Sequence, residues 1–157
     1  MFNRIVIILI ITGFIYAKDE QKVVLITGTA YGIGKSTAEL LIDKGHIVYG
    51  GDILVEENLY LNDIGGTALE MDVTNQEHID KAINQIISEQ GRVDVLVNNA
   101  GLGVYGAIED VSMEDIYYQY DVNLFGLARV TKAVLPYMRE KESGLIINIS
   151  SVLGLSL

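Results

Sequence analysis

The sequence predicts an α/β fold: a doubly wound parallel sheet, truncated after the fifth strand. Three observations lead there. From Lys22 onward, short apolar runs alternate with amphipathic stretches, the signature of consecutive βαβ units. The first run, Val23-Val24-Leu25-Ile26-Thr27, is continuously apolar and β-branched, as in a strand covered on both faces. It runs into a turn rich in glycine, Gly28-Thr29-Ala30-Tyr31-Gly32-Ile33-Gly34, which opens an amphipathic stretch.

The elements follow in order. A helix is expected from Gly32 to Lys44, with Ile33, Thr37, Leu40 and Leu41 on one face and Gly45 as its stop. Ile47-Val48-Tyr49 reads as the second strand, and a short helix over 56–64 ends at Gly65-Gly66. Ala68-Leu69-Glu70-Met71 is the third strand. A helix over 75–89 places Ile79, Ile83, Ile86 and Ile87 inward and stops near Gly91. Val93–Val97 is the fourth strand, a long helix runs from Met113 towards Tyr137, and Leu145–Ile149 is the fifth strand. No repeat, low-complexity linker or second domain interrupts this order.

Composition narrows the function. The chain has 157 residues, enough for one domain with a proper core. Its net charge of -10 argues against nucleic acid, which calls for clustered Lys and Arg. With no cysteine there is neither a disulfide framework nor a thiolate site. His46 and His78 lie far apart without other ligand types nearby, so both are expected to be satisfied or solvated rather than metal-bound.

Residues 1–17 stand apart from the rest, which forms an incomplete dinucleotide-binding domain over 18–157. Arg4 precedes the apolar run Ile5–Ile11, and the polar run from Lys18 to Lys22 closes the segment. The pattern is signal-like, and the apolar stretch is shorter than the ~20 residues of a spanning helix. A cleaved signal, a marginal anchor, a start codon placed upstream and an inert extension all fit. The reading adopted is a weak membrane association through residues 5–16, on a domain facing the cytoplasm.

The chemistry sits at strand ends. Glycines at 28, 32 and 34 let the chain turn sharply and bring backbone N–H groups and a helix N-terminus close to a pyrophosphate. In a strand–turn–helix context this is the feature of a Rossmann-like dinucleotide fold. Ile33 lies within the same turn. Asp52 ends the second strand, where a carboxylate can accept both ribose hydroxyls and repel a 2′-phosphate; Ile53 beside it offers that phosphate nothing. This favours NAD, with NADP as the lesser alternative. The lesser reading of Asp52 is a residue capping the next turn. Asp72-Val73, after the third strand, could reach an adenine or merely start the following helix. Asn98-Asn99-Ala100-Gly101 leaves room at the end of the fourth strand.

Taken together, Thr27-Gly28-x-x-x-Gly32-Ile33-Gly34, Asp72, Asn98-Asn99-Ala100-Gly101, Asn123 and the serine ending the fifth strand resemble the short-chain dehydrogenase/reductase family. The resemblance covers Lys22 to about Gly154. It implies an NAD(P)-dependent oxidoreductase that interconverts an alcohol and a carbonyl of a small molecule by hydride transfer. By the same resemblance Ser151, with Ser150 as its alternative, matches the catalytic serine that polarises the substrate oxygen. Asn123 matches the helix asparagine that holds a water in the proton relay. Asn99, Ala100 and Gly101 match the contacts to the nicotinamide-side ribose. Read without the resemblance, Asn123 bonds a neighbouring backbone and Ser151 makes a strand-end turn.

The family's general acid/base tyrosine and its lysine, Y-x-x-x-K, lie beyond the serine on the next helix. The present sequence runs only to Leu157. Tyr117, Tyr118, Tyr120 and Tyr137 all precede the fifth strand, and although Tyr137 alone has a lysine four residues on, Lys141, it lies on the wrong side of the serine, so none replaces it. A chain ending there is expected to be inactive, with non-catalytic nucleotide binding as the alternative function. A homo-oligomer is expected for a full-length parent. The fifth strand is expected to present an open apolar edge, a template for aggregation.

Overall fold

The computed structural model describes residues 20–151. At its centre lies β1 (Val23–Thr27), every residue of it buried. It pairs in parallel with β2 (Ile47–Asp52) on one side and β4 (Val95–Asn98) on the other. β3 (Thr67–Glu70) lies beyond β2, and β5 (Leu145–Asn148) beyond β4, giving the order β3-β2-β1-β4-β5. All the pairings are parallel, as near-continuous apolar runs require.

Side-chain alternation along β1 divides the core into two layers. Leu25 on one face joins Tyr49 and Leu96 under α4 (Gln76–Gln90) and α6 (Leu127–Glu140), which contribute Ile79, Ile83, Ile86, Val130 and Val134. Val24 and Ile26 on the other face pack with Val48, Val97, Ala38 of α1 (Gly32–Asp43) and Leu61 of α3 (Tyr60–Asp63). Asn75 caps α4 by accepting from the N–H groups of Glu77 and His78, and Gly91 closes the helix at φ 69°. That is the expected asparagine start and left-handed glycine stop.

Three elements differ from the sequence reading. The buried face of α1 is Gly34 and Ala38, with Leu41 and Ile42 packed behind, while Ile33 and Leu40 are 65% and 54% exposed. The helix starts hard against the turn that precedes it, and a Cβ on Gly34 would collide with the Gly28 carbonyl. Only small residues fit there, so packing overrides the larger side chains. The helix expected over 56–64 is two short ones, α2 (Val55–Asn58) and α3, joined by tighter bonds from Leu59 N–H to the Glu56 carbonyl and from Asn62 N–H to the Leu59 carbonyl. The long helix after Met113 is α5 (Met113–Tyr120), a π-helical stretch over Asp121–Gly126, and α6. Arg129 spans that stretch, with its guanidinium 2.6 Å from the Asp121 carboxylate.

Both histidines accept a backbone N–H through Nδ1, His46 from Lys22 and His78 from Asp72. Among the described residues no helix is long and apolar enough to cross a membrane. The apolar segment 1–17 lies outside them.

The amino ends of the sheet are gathered by Asp94. Its carboxylate accepts from Val23 N–H (2.8 Å), Arg92 Nε (2.9 Å) and Lys141 Nζ (2.8 Å), linking β1, β4 and the approach to β5. Burial works against its charge, yet the bonds from Lys141, Val23 and Arg92 hold its pKa down at about 2. A depressed pKa contributes stability in full above the unfolded value of ~3.9 and loses it as the pH falls through about 2. Because Lys141 and Arg92 are partly exposed, Asp94→Asn is expected to cost about 1–2 kcal/mol near neutral pH. In urea melts the gap between variant and parent should close as the pH is lowered towards 2; a gap unchanged by pH would contradict this role.

On β5, Leu145 and Ile147 are 53% and 39% exposed. The 157-residue chain is therefore expected to self-associate, and Ile147→Lys to lower its apparent mass in light scattering. A monodisperse monomer with unchanged light scattering in the variant would rule this out.

Candidate functional site

In an open parallel sheet, ligands settle at the carboxyl ends where the strand order reverses. Here that point lies between β1 and β4, since the chain runs outward from β1 to β2 and β3 and then restarts at β4. All the sequence-predicted site residues follow carboxyl strand ends except Asn123, which lies in the π-helical stretch.

The turn after β1 is built by close approach. Gly28 and Gly32 have φ of 76° and 60°, which glycine alone adopts freely. A Cβ on Gly28 would come within 2.8 Å of the Ala100 Cα. Gly28 N–H donates to the Gly51 carbonyl at 2.7 Å. Asn99 secures the inner side, its Nδ2 donating to the carbonyls of Thr27 (2.9 Å) and Gly28 (2.8 Å). Thr27 Oγ1 accepts from the N–H groups of Asn99 and Ala100, each at 3.0 Å. The turn then leads into the first N–H groups of α1, which have no partner within their own helix, an arrangement able to receive an anion.

Beside the turn opens a cleft of about 150 Å³ lined by Gly28, Asp52, Asp72, Val73, Ala100 and Gly101 among others. Gly32, Ile33, Gly34 and Asn99 do not line it: the first three begin α1, and Asn99 braces the turn.

The two acids also serve the backbone. Asp52 is 9% exposed; Oδ2 accepts from Ala30 N–H at 2.8 Å and Oδ1 from Leu54 N–H at 2.9 Å. Its carboxylate thus fixes the glycine-rich turn and caps its own, with lone pairs left for other donors. Asp72 accepts from Thr74 N–H (2.8 Å) and Thr74 Oγ1 (2.7 Å), the turn role weighed from sequence.

Asn123 directs both ends of its amide at one residue of the loop after β4. Oδ1 accepts from Leu102 N–H at 2.9 Å, and Nδ2 donates to the Leu102 carbonyl at 2.7 Å. Leu102 itself lines the cleft. Asn98, only 4% exposed, donates to Thr131 Oγ1 (3.1 Å) and Asn148 Oδ1 (2.9 Å), tying β4 to α6 and β5. Its own Oδ1 is buried with no hydrogen-bond partner among the described residues. Ser151 is exposed, three residues beyond β5, on the same edge of the sheet as the turn.

The sequence and the fold recur in known proteins. The model of the short chain dehydrogenases matches residues 22–156. This chain belongs to the short-chain dehydrogenase/reductase family. It is 48% identical over 136 residues to a 3-ketodihydrosphingosine reductase of Bacteroides thetaiotaomicron, covering 86% of this chain and 49% of that protein. It is 39% identical over 143 residues to a 3-oxoacyl-acyl-carrier-protein reductase, FabG, of Thermotoga maritima, covering 87% and 58%. Among solved structures, a short-chain dehydrogenase from Streptomyces avermitilis superposes with a TM-score of 0.77 at 38% identity, over 83% of this chain and 49% of that one. The ligand-free aldohexose dehydrogenase of Thermoplasma acidophilum gives 0.74 at 40% identity, over 84% and 50%. The chain spans about half the length of the relatives it matches.

In this short-chain dehydrogenase/reductase chain, sequence reasoning missed several residues around the cleft and the turn. Tyr118 on α5 and Val122 of the π-helical stretch reach the cleft. Nothing in their spacing marks them, because the loop over 101–111 carries α5 back across the sheet edge. Asn58 and Tyr60 bond the turn from α2 and α3, and nothing in the sequence around them signals it.

The crowding at Gly34 gives a direct test. Gly34→Ala is expected to destabilise by about 1–3 kcal/mol through overpacking, read by chemical denaturation, because the colliding atom is backbone. An unchanged midpoint would show that the turn yields freely.

Proposed function

We propose that residues 18–157 form the dinucleotide-binding part of an oxidoreductase that interconverts an alcohol and a carbonyl of a small molecule, with NAD preferred over NADP. The observation carrying this reading is the cleft at the strand-order reversal, where the glycine-rich turn, Asp52, Asp72 and Val73 converge. The residues fit such a cofactor: glycines leave a space that side chains would fill, and an acid stands at the end of β2.

In this reading the turn and the start of α1 hold the pyrophosphate, with Ile33 beside it. Asp52 takes the ribose hydroxyls and repels a 2′-phosphate. Asp72 and Val73 face the adenine, and Asn99, Ala100 and Gly101 bound the nicotinamide side. A bound nicotinamide cofactor supplies or accepts the hydride. Ser151 orients and polarises the substrate oxygen. Asn123 keeps the Leu102 loop against the cleft, and the water-holding role implied by the family goes with it. The family's proton-transferring tyrosine and lysine are part of the whole protein's activity. Two relatives are named as reductases of a keto or oxo group, which favours carbonyl reduction as the direction.

This reading places the domain in the cytoplasm, with its cofactor, and residues 5–16 as a weak membrane contact. The parent protein forms a homo-oligomer. A non-catalytic nucleotide-binding module is the alternative function, and turnover by the whole protein separates the two.

The cofactor assignment is tested by titrating the chain with NADH and NADPH and following nicotinamide fluorescence. NADH should bind at least ~10-fold more tightly, and Asp52→Asn should narrow that ratio. Equal affinities would overturn the NAD preference. Absence of binding to either would overturn the cofactor reading.

A further inference from the structure

We infer that Asn58 and Tyr60 are positioning residues for the pyrophosphate-binding turn, holding Thr29 from the outer side as Asn99 holds Gly28 from the inner. The inference rests on the dinucleotide reading above and names residues of α2 and α3 that touch no part of the cleft.

Thr29 and Asn58 are both fully buried. Thr29 Oγ1 donates to Asn58 Oδ1 at 2.8 Å, and Asn58 Nδ2 donates to the Gly50 carbonyl at 2.8 Å. A buried amide is unfavourable unless its groups are paired, and here the pairing joins the turn to β2. A Cβ on Gly50 would press on both Thr29 and Leu61, so the absence of a side chain there makes room for the contact. Tyr60 OH donates to the Thr29 carbonyl at 3.0 Å. Burial first, then the charges of Glu39 and Asp52, pushes that phenol up to about 12, so it keeps its proton. Lys35 Nζ lies 4.3 Å above the Tyr60 ring and steadies it from the first turn of α1.

The effect is on carbonyls. An anion at the turn is attracted by N–H groups and repelled by any C=O that swings towards it. Three successive carbonyls are committed to donors: those of Thr27 and Gly28 to Asn99, and that of Thr29 to Tyr60. With Ala30 N–H fixed on Asp52, the peptide planes on either side of Thr29 have one orientation. Loss of the outer partners leaves the plane after Thr29 held by the Ala30–Asp52 bond alone, and the site loses part of its preorganisation.

The test compares adenosine with ADP, because only ADP carries the pyrophosphate. Binding of each to the full chain is followed by NMR in the parent, Tyr60→Phe and Asn58→Ala. Tyr60→Phe keeps the ring and its lysine contact, so it carries the test if Asn58→Ala does not fold. ADP affinity should fall about five-fold in Tyr60→Phe, the worth of one neutral hydrogen bond, and further in Asn58→Ala, while adenosine affinity stays unchanged. A parent that binds ADP and a folded Tyr60→Phe that binds it equally well would overturn the inference and leave the cofactor reading standing. An equal fall for ADP and adenosine would mark a merely structural role and also overturn it. A parent that binds neither would overturn both.

Discussion

Because β1 is buried on both faces and paired in parallel on both sides, the chain leaves it at one point only, in the middle of the sheet's carboxyl edge. The order of strands reverses beside that point. The turn after Thr27 must therefore climb out between the ends of β2 and β4 in very little space, and glycine is the residue that permits it. The cleft, the exposed start of α1 and the convergence of strand-end side chains follow from that exit.

A turn made flexible by glycine needs outside support to hold one shape, since glycine carries the largest conformational freedom to be lost. The support is polar and comes from every neighbouring element: Asn99 after β4, Asp52 at the end of β2, Asn58 in α2 and Tyr60 in α3. Asp52 shows how compactly this is arranged. One carboxylate fixes Ala30, caps Leu54 and lines the cleft, so a cleft charge and a structural bracket are the same group. Asn123 does the equivalent for the Leu102 loop on the other wall.

Much of this was legible in the sequence, for identifiable reasons. The parallel strands announced themselves as unbroken apolar runs, and β1 was located residue for residue because it is buried on both faces. Gly28, Asp52, Asp72, Val73, Ala100 and Gly101 were legible because strand ends are short, fixed distances from apolar runs, and the structure gathers them on one cleft. The face of α1 was misread because a hydrophobic count favours Ile33 and Leu40, whereas the close approach at Gly34 admits only Gly34 and Ala38. The π-helical stretch around Asn123 left no periodic trace, as its one-residue widening changes hydrogen bonding rather than composition. Tyr60 was invisible as a partner of Thr29, because its bond joins residues 31 apart through a fold that periodicity does not encode.

The most direct test of the central claim is an amide NMR map of the chain titrated with NAD. The account predicts shifts concentrated at Gly28–Gly34, Asp72–Val73 and Ala100–Leu102. Shifts confined to another surface, such as the groove between Gln76 and Lys132, or no saturable shifts at all, would contradict it.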